Sequence, residues 1–254
     1  MPNLFDNATN KQGLIVYGGE SSSSYGMVVA EAPAYERPKR KQMIYNVPGR
    51  NGSIIFQQDA WEDVNRSYKV WLTPSSNKTL VERVDALEAW LNSKTGYVRL
   101  EDNFEPDVYR LAYYSGGDGF SNSLTQYGEA TLNFTCRPER FLTSGETAVT
   151  ITDQGTINNP TKYISKPLIR IVASGKIRMW ISNGSVGNEI TATVTDYLYI
   201  DCESMNAYRL SNDYQNDKIS GDFPVIYPGT NTTGISAITG TLTSVSVTPR
   251  FYTI

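Results

Sequence analysis

The sequence predicts a mainly β protein, in which an N-terminal β-rich domain with one α-helix is followed by a C-terminal β-sandwich. Three observations lead to this prediction. The 254 residues include 17 Tyr and 20 Gly, a mixture suited to half-buried strands and tight turns. Short runs of alternating apolar and polar residues recur along the chain. A single segment in the first half has the apolar spacing of a helix instead.

The first half contains a series of short strand-like runs separated by turn residues. Their period of two places every second side chain on one face of a sheet. These runs are LIVYG, MVVAE, SIIFQ, YKVWL, YVRLED and VYRLAYY.

The helix is predicted at about residues 78–92. Four apolar residues at spacings of four, three and four form one stripe along it. They are Leu80, Val84, Leu87 and Leu91. Thr79 precedes Glu82 by three residues, which matches a capping box, and Gly96 follows the expected end of the helix.

A domain boundary is predicted near residue 145. The run GEATLNFTCRPERF, at 128–141, alternates as a strand with one wet face, and Pro138 is expected to end it. The segment 143–167 is rich in turn formers and nearly free of large apolar residues. We therefore expect a first domain at 1–145 and a second at 146–254.

The second domain is predicted to be a β-sandwich or jelly roll. Runs such as KIRMWISNG, NEITATV and DYLYIDCE alternate, and no helical period occurs among them. The last strand, VTPRFYTI, either packs in this domain or crosses back to the first.

The residue inventory argues against an enzyme. The chain has no histidine, which removes Ser-His-Asp and Cys-His nucleophiles and histidine-ligated zinc. Two cysteines cannot build a cysteine-rich zinc or iron–sulfur site. The glycines of SGGDGFSN lack the spacing of a phosphate-binding loop. The sequence thus predicts no catalytic residue, no metal site and no bound cofactor.

The densest group of carboxylates is EDNFEPD, at 101–107. It could in principle supply a calcium site or a glycosidase-like acid pair, but its spacing matches no calcium loop and Pro106 marks a turn. A solvated acidic turn is therefore predicted. Asp201 and Glu203 flank Cys202, and we expect both on the wet face of a strand.

Three aromatic residues on outward strand faces of the second half are candidates for stacking on a pyranose ring. They are Trp180, Tyr197 and Tyr199. Tyrosine is also a normal choice on an exposed strand, and Tyr and Trp are enriched at protein interfaces. Sugar binding, packing and subunit contact all remain open for them at this point.

The charge and the cysteines indicate which classes of partner and which cellular compartment are expected. The net charge of −3 argues against nucleic-acid binding. The basic cluster at 39–41, near Arg37 and Arg50, is expected to be a solvated loop or a contact to an acidic neighbouring subunit. Cys136 and Cys202 are expected to be buried free thiols, as in a reducing cytoplasm. The sequence shows no signal peptide and no apolar stretch long enough for a membrane span.

Several strings resemble the distal tail protein family of long, non-contractile-tailed bacteriophages. They occur in the same order as in that family and span most of the chain. The strings are VPGRNG at 47–52, VERVDALEAWL at 81–91, TLNFTCRPERF at 131–141, KPLIRIVASG at 166–175, IDCESMNAY at 200–208 and GDFPVIYPGTN at 221–231.

This resemblance implies a structural role in the virion. Members of the family form a hexameric ring at the tail tip that joins the tail tube to the baseplate. The first domain would make the ring, and the second would be a galectin-like sandwich projecting outward. The implied partners are copies of the chain itself, the major tail tube protein, the tail-associated tip protein and a peripheral baseplate or receptor-binding assembly. The protein would be made in the cytoplasm of the bacterial host. The alternative function is a carbohydrate-binding module.

Two polar loops, at 18–26 and 115–127, are candidates for the contacts between subunits of such a ring. Extended polar loops can add a strand to a neighbour or exchange with it. The second loop is longer than a usual hairpin turn, and such loops are often functional.

Overall fold

The computed structural model describes residues 13–73, 77–123, 127–210 and 212–254. The chain divides into two compact units, one of residues 1–140 with Ile254 and one of residues 141–253. The fold is mainly β, and the described residues hold one α-helix, which lies in the first unit. The predicted fold class is thus confirmed.

The first unit is built around one antiparallel sheet and a separate hairpin. The helix is α1 (Leu80–Asn92), and a 3₁₀ turn lies at Ser22–Tyr25. The strands are β1 (Ile15–Tyr17), β2 (Glu20–Ser21), β3 (Met27–Val29), β4 (Arg40–Tyr45), β5 (Ile54–Trp61), β6 (Val64–Leu72), β7 (Val98–Asp102), β8 (Val108–Gly117), β9 (Ser121–Ser123) and β10 (Tyr127–Leu142). The order in the sheet is β2-β1-β7-β8-β10-β6-β3, with β9 also on β10, while β4 and β5 pair only with each other.

Helix α1 forms where its sequence predicts and covers the core of this sheet. The Thr79 hydroxyl accepts a hydrogen bond from the Glu82 backbone N–H, and the Glu82 carboxylate accepts one from the Thr79 backbone N–H. This reciprocal cap satisfies two N–H groups at the helix start and contributes about 1 kcal/mol. Leu87 and Leu91 are fully buried, and Trp90 packs edge-on against Tyr17.

Strand β10 continues further than its sequence predicts. Pro138 was expected to end it, but the strand runs on to Leu142. Its pairing with β6 extends only from Gly128 to Cys136, opposite Val64. Pro138 therefore lies beyond the paired stretch, where no β6 carbonyl needs its missing N–H.

The second unit contains ten strands and two 3₁₀ turns, the latter at Thr143–Glu146 and Asn216–Lys218. The strands are β11 (Val149–Ile151), β12 (Gly155–Asn159), β13 (Leu168–Ser182), β14 (Gly187–Val194), β15 (Tyr197–Asp201), β16 (Asn206–Tyr208), β17 (Ile219–Gly221), β18 (Gly229–Ala237), β19 (Thr241–Thr248) and β20 (Tyr252–Thr253). The segment 143–167, where turn residues suggested a linker, holds β11 and β12.

Strand β13 organises the second unit because it belongs to two layers. Its first half pairs with β15 and β19, and its second half pairs with β14 and β18. The change occurs at a register shift between Val172 and Ala173 and at Gly175, whose φ is +129°. A Cβ at Gly175 would lie 2.1 Å from the Thr239 carbonyl oxygen, so only glycine fits this corner.

The proline- and glycine-rich string at 221–231 is a connection between strands, closed by one buried side chain. Gly221 ends β17 and Gly229 begins β18. Asn231 is fully buried, and its side chain accepts a hydrogen bond from the Tyr227 N–H and donates to the carbonyls of Tyr227 and Gly229. This side chain therefore supplies the hydrogen bonds that the intervening backbone cannot make with a strand.

Candidate functional site

The most unusual surface of the first unit is the hairpin of β4 and β5. Tyr45 pairs with Ile54 next to the turn, and the pairing continues through Ile44 with Ile55 and Met43 with Phe56. The turn contains VPGRNG, in which Gly49 and Gly52 have φ values of +78° and +80°. Both glycines thus occupy the left-handed region that other residues adopt at a cost. The string VPGRNG is therefore the tip of a hairpin.

This hairpin exposes large apolar side chains on both of its faces. Successive strand residues point to opposite faces, so the pair Ile44 and Ile55 lies on one face and the pair Met43 and Phe56 on the other. Six apolar side chains at the hairpin are between 42% and 58% exposed. They are Met43, Ile44, Tyr45, Val47, Ile55 and Phe56.

A hairpin of this kind is incomplete by itself. An isolated two-stranded ribbon is only marginally stable in water and requires packing against something else. Contiguous exposed apolar surface on a folded protein marks an interaction site. Tyr45 packs edge-on against Phe56 with ring centres 5.8 Å apart, yet both side chains remain more than half exposed. We therefore take the β4–β5 hairpin, residues 40–61, as the candidate assembly surface.

The basic cluster at 39–41 lies at the base of this hairpin rather than in a loop. Arg40 begins β4, lies 4.9 Å from the centre of the Trp61 ring and is 3.9 Å from Asp59. These side chains are exposed or nearly so, so the charges face solvent and are available to an acidic partner.

The loop at 18–26, a candidate for contacts between subunits, is folded against the sheet of its own unit. Ser22 is fully buried, and its hydroxyl accepts a hydrogen bond from the Ile15 N–H. Tyr25 stacks on Trp90 with ring centres 4.6 Å apart. In the loop at 115–127, residues 121–123 form β9 on β10, and residues 124–126 lie outside the described part of the chain.

The acidic segment at 101–107 is not the solvated turn that its sequence suggests. Asp102 is 2% exposed, and one of its carboxylate oxygens accepts hydrogen bonds from Arg66 and from the Tyr68 hydroxyl, each at 2.7 Å. Glu105 binds Arg110 and Arg140, and it lies 3.2 Å from Arg66. Burial raises the pKa of Tyr68, and the Asp102 charge raises it further.

These buried charges form a structural network rather than an acid–base pair. The carboxylates and guanidiniums satisfy one another, which is the condition for burying charge. A small cavity of about 80 Å³ beside Arg66, Arg110 and Arg140 is far below the size of ordinary ligand pockets. Local spacing could not reveal the network, because its arginines come from β6, β8 and β10.

The two carboxylates that flank Cys202 differ in their surroundings. Asp201 ends β15 and accepts a hydrogen bond from Arg250 at 2.7 Å, whereas Glu203 is exposed in the following turn. Burial alone would raise the pKa of Asp201, but the hydrogen bonds from Arg250 and from the backbone of Glu203 lower it below its ordinary value.

The cysteines are buried free thiols, as expected. Cys136 packs in the core of the first unit and Cys202 in that of the second. Burial raises the pKa of Cys136 to about 11 and that of Cys202 to about 12. Within the described ranges, no group of three or more His, Cys, Asp or Glu side chains is placed to hold a metal ion, and no helix is long and apolar enough to cross a membrane.

The three aromatic candidates of the second unit differ in their surroundings. Tyr199 stacks on Tyr208 with ring centres 5.6 Å apart and packs edge-on against Tyr197, and Arg170 lies over both Tyr197 and Tyr199. These rings therefore contact one another.

Trp180 lies on the outer face of its sheet, away from the buried side chains of β13. In the strand register it stands between Gly234 of β18 and Glu189 of β14.

Comparisons with known proteins agree with this architecture. Residues 32–136 match the model of the phage tail protein RIFT-related domain family. The chain is similar to the solved Dit (gp 19.1) protein of SPP1, described as a paradigm of the hub adsorption apparatus in phages that infect Gram-positive bacteria. The identity is 17%, the alignment covers 95% of this chain and 99% of that chain, and the TM-score is 0.71.

Weaker similarity extends to a chain of the phage p2 baseplate in its activated conformation with Sr, with 11% identity, coverage of 93% and 97% and a TM-score of 0.49. No curated protein matches the sequence. The chain therefore has the fold of the solved Dit protein, and its residues 32–136 match the family model of the phage tail protein RIFT-related domain.

Proposed function

We propose that this protein is a structural hub of a phage tail tip, which forms a hexameric ring through the β4–β5 hairpin and connects the tail tube to the baseplate. The observation that carries the proposal is the exposure of apolar side chains on both faces of that hairpin, within a phage tail protein domain. In this role it is a virion component made in the cytoplasm of the host. It contacts the major tail tube protein, the tail-associated tip protein and a peripheral baseplate or receptor-binding assembly.

The hairpin suits a ring because its two faces differ. A ring requires a heterologous contact, in which one surface of a subunit meets a different surface of the next and the rotation closes. The face with Ile44 and Ile55 and the face with Met43 and Phe56 provide two different apolar surfaces on one ribbon. The outer edges of β4 and β5 also pair with no other described strand, so a neighbour's strand can be added there.

A structural role also fits the residue chemistry of the first unit. Its buried carboxylates, Asp102 and Glu105, are bound by arginines and are not presented to a substrate. Their ion pairs join β6, β7, β8 and β10 within the first unit.

The test is the mass of the purified full-length chain in solution, measured by light scattering, together with electron microscopy. We expect a ring of six times the 28.3 kDa of one chain. The double variant Ile44→Glu with Phe56→Glu places a charge on each face of the hairpin, and we expect it to be monomeric with an unchanged unfolding midpoint. Ile238→Glu is the matched control, because Ile238 is 51% exposed in the second unit, and it should still form the ring.

Two results would count against the proposal. A wild-type chain that stays monomeric at high concentration and with tube and tip proteins present would exclude the ring. A ring that persists in the double variant would exclude the hairpin as its contact.

A further inference from the structure

Trp180 lies flat on the backbone of the neighbouring strand. A Cβ placed on Gly234 would be 1.7 Å from Cζ2 of the indole and 2.0 and 2.1 Å from the two atoms bonded to it. If the Cβ position lay in the plane of the ring, outside Cζ2, its distances to Cε2 and Cη2 would be much longer than its distance to Cζ2. The nearly equal distances therefore place Gly234 beneath the face of the ring. Any side chain at position 234 would clash with the indole, so glycine allows the ring to pack flat on the strand.

The opposite face of the indole is directed away from the sheet. Trp180 is on the outer side of β13, since the side chains of Ile177, Met179 and Ile181 fill the core. The half-buried state of Trp180 is consistent with one covered face and one open face. Arg178, two residues earlier on the same side, has its guanidinium carbon 5.8 Å from the ring centre.

The surroundings of the open indole face are polar. Glu189 stands directly across from Trp180 on β14, and its carboxylate holds Arg178 at 2.6 Å. The hydrogen bond from Arg178 lowers the pKa of Glu189, which stays charged at neutral pH. A shallow pocket of about 330 Å³ is lined by Arg178, Trp180, Ser182, Gly187, Asn188 and Glu189.

The strand register shows why an apolar protein anchor fits this surface poorly. The residues facing outward on β18 beside β13 are Thr232, Gly234 and Ser236, and those on β14 are Gly187, Glu189 and Thr191. The indole is thus surrounded by small and polar side chains. The hot spots of protein interfaces instead contain several apolar side chains that are clustered and shielded from water.

We propose that this surface is a binding site for one hexopyranose unit of a polysaccharide. One face of a pyranose ring presents C–H groups, which pack on an aromatic ring, while its hydroxyl groups lie around the rim. A carboxylate accepts hydrogen bonds from two adjacent hydroxyls, and a guanidinium donates to hydroxyl or ring oxygens. The paired Glu189 and Arg178 provide both beside the indole. Tyr197 and Tyr199 contact each other and lie near Arg170, so their rings are already partly engaged within the chain.

The site can be tested on the full-length chain labelled with 5-fluorotryptophan. The four Trp residues give four ¹⁹F signals, and Trp180→Phe identifies the one from Trp180. The probes are the methyl glycosides of glucose, galactose and N-acetylglucosamine, each titrated to tens of millimolar because a single sugar on an open site binds with a dissociation constant of about 1 mM or weaker. We expect the Trp180 signal to shift saturably with at least one of them.

Two variants separate a sugar site from a merely structural tryptophan. Glu189→Gln leaves the indole in place and should raise the dissociation constant about tenfold, because a charge-assisted hydrogen bond is lost. Trp71→Ala removes an indole that is 49% exposed in the first unit and should leave binding unchanged. A Trp180 signal that none of the three glycosides moves, or a shift that Glu189→Gln does not weaken, would overturn the proposal. Neither result depends on whether the chain forms a ring.

Discussion

The guanidinium of Arg66 lies 2.7 Å from the carboxylate of Asp102, and the two side chains are only 5% and 1% exposed. Removing the Asp102 charge would leave the buried Arg66 with the shared carboxylate of Glu105, 3.2 Å away, as its remaining counter-charge. Asp102→Asn should therefore lower the free energy of unfolding by about 3 kcal/mol, the lower end of the range for a broken buried ion pair, measured by urea denaturation. Glu31→Gln, which breaks the exposed pair of Glu31 with Lys69, should change it by less than about 1 kcal/mol. Equal effects of the two variants would show that the network is solvated.

Asn231 is expected to be essential for the connection between β17 and β18. Asn231→Ala leaves the Tyr227 N–H and the carbonyls of Tyr227 and Gly229 without their partner. The free energy of unfolding should fall by roughly 2–4 kcal/mol, because each buried unsatisfied group is unfavourable. Asn158→Ala, at an exposed position of β12, is the matched control and should be nearly neutral. A neutral Asn231→Ala would show that water replaces the amide.

The two cysteines should be unreactive in the folded protein. With pKa values of about 11 and about 12, the thiols of Cys136 and Cys202 are almost fully protonated at pH 8, and the thiolate is the reactive form. Ellman's reagent at pH 8 should therefore label neither thiol without denaturant and both in strong denaturant. Rapid labelling of the native chain would contradict the burial of these residues.

The pair of Asp201 and Arg250 should give a stability contribution that depends on pH. The pKa of Asp201 is lowered in the folded state, so the contribution is present at neutral pH and is lost as the pH falls below about 4, through the folded-state pKa. Arg250→Gln should cost about 1 kcal/mol at pH 7, since solvent screens a pair that is 18–28% exposed. The difference between wild type and variant should shrink towards pH 3; a constant difference would show that Arg250 acts through packing alone.

The sequence predicted the elements that are determined by neighbouring residues. Helix α1 has its cap, its apolar stripe and its end within one continuous segment, from Thr79 to Gly96, and the structure follows them closely. Most strands of the first half were also predicted from their alternation, whereas β2, β4 and β9 were not. Strands β11 and β12 were missed because runs of three and five residues are too short to show a clear alternation, and β12 is also rich in Gly, Thr and Asn.

Features that depend on distant parts of the chain could not be predicted. The burial of Asp102 requires Arg66 from another strand, so an acidic turn and a buried charge network have the same local sequence. Within the hairpin, alternation predicted the strand at 53–57, and the exposure of its apolar side chains became evident from the fold. The covered face of the Trp180 indole depends on Gly234, which is 54 positions away in the sequence.

For the proposed hub, the two-faced hairpin has a consequence before assembly. Arg50 is exposed in the turn at the tip of this hairpin, where proteases that cut after basic residues have access. Free subunits would also adhere to one another in wrong registers, since unpaired strand edges template non-native pairing. The β4–β5 hairpin of the proposed hub therefore has to be covered soon after synthesis. When the partner proteins are expressed is then as important as the stability of the chain itself.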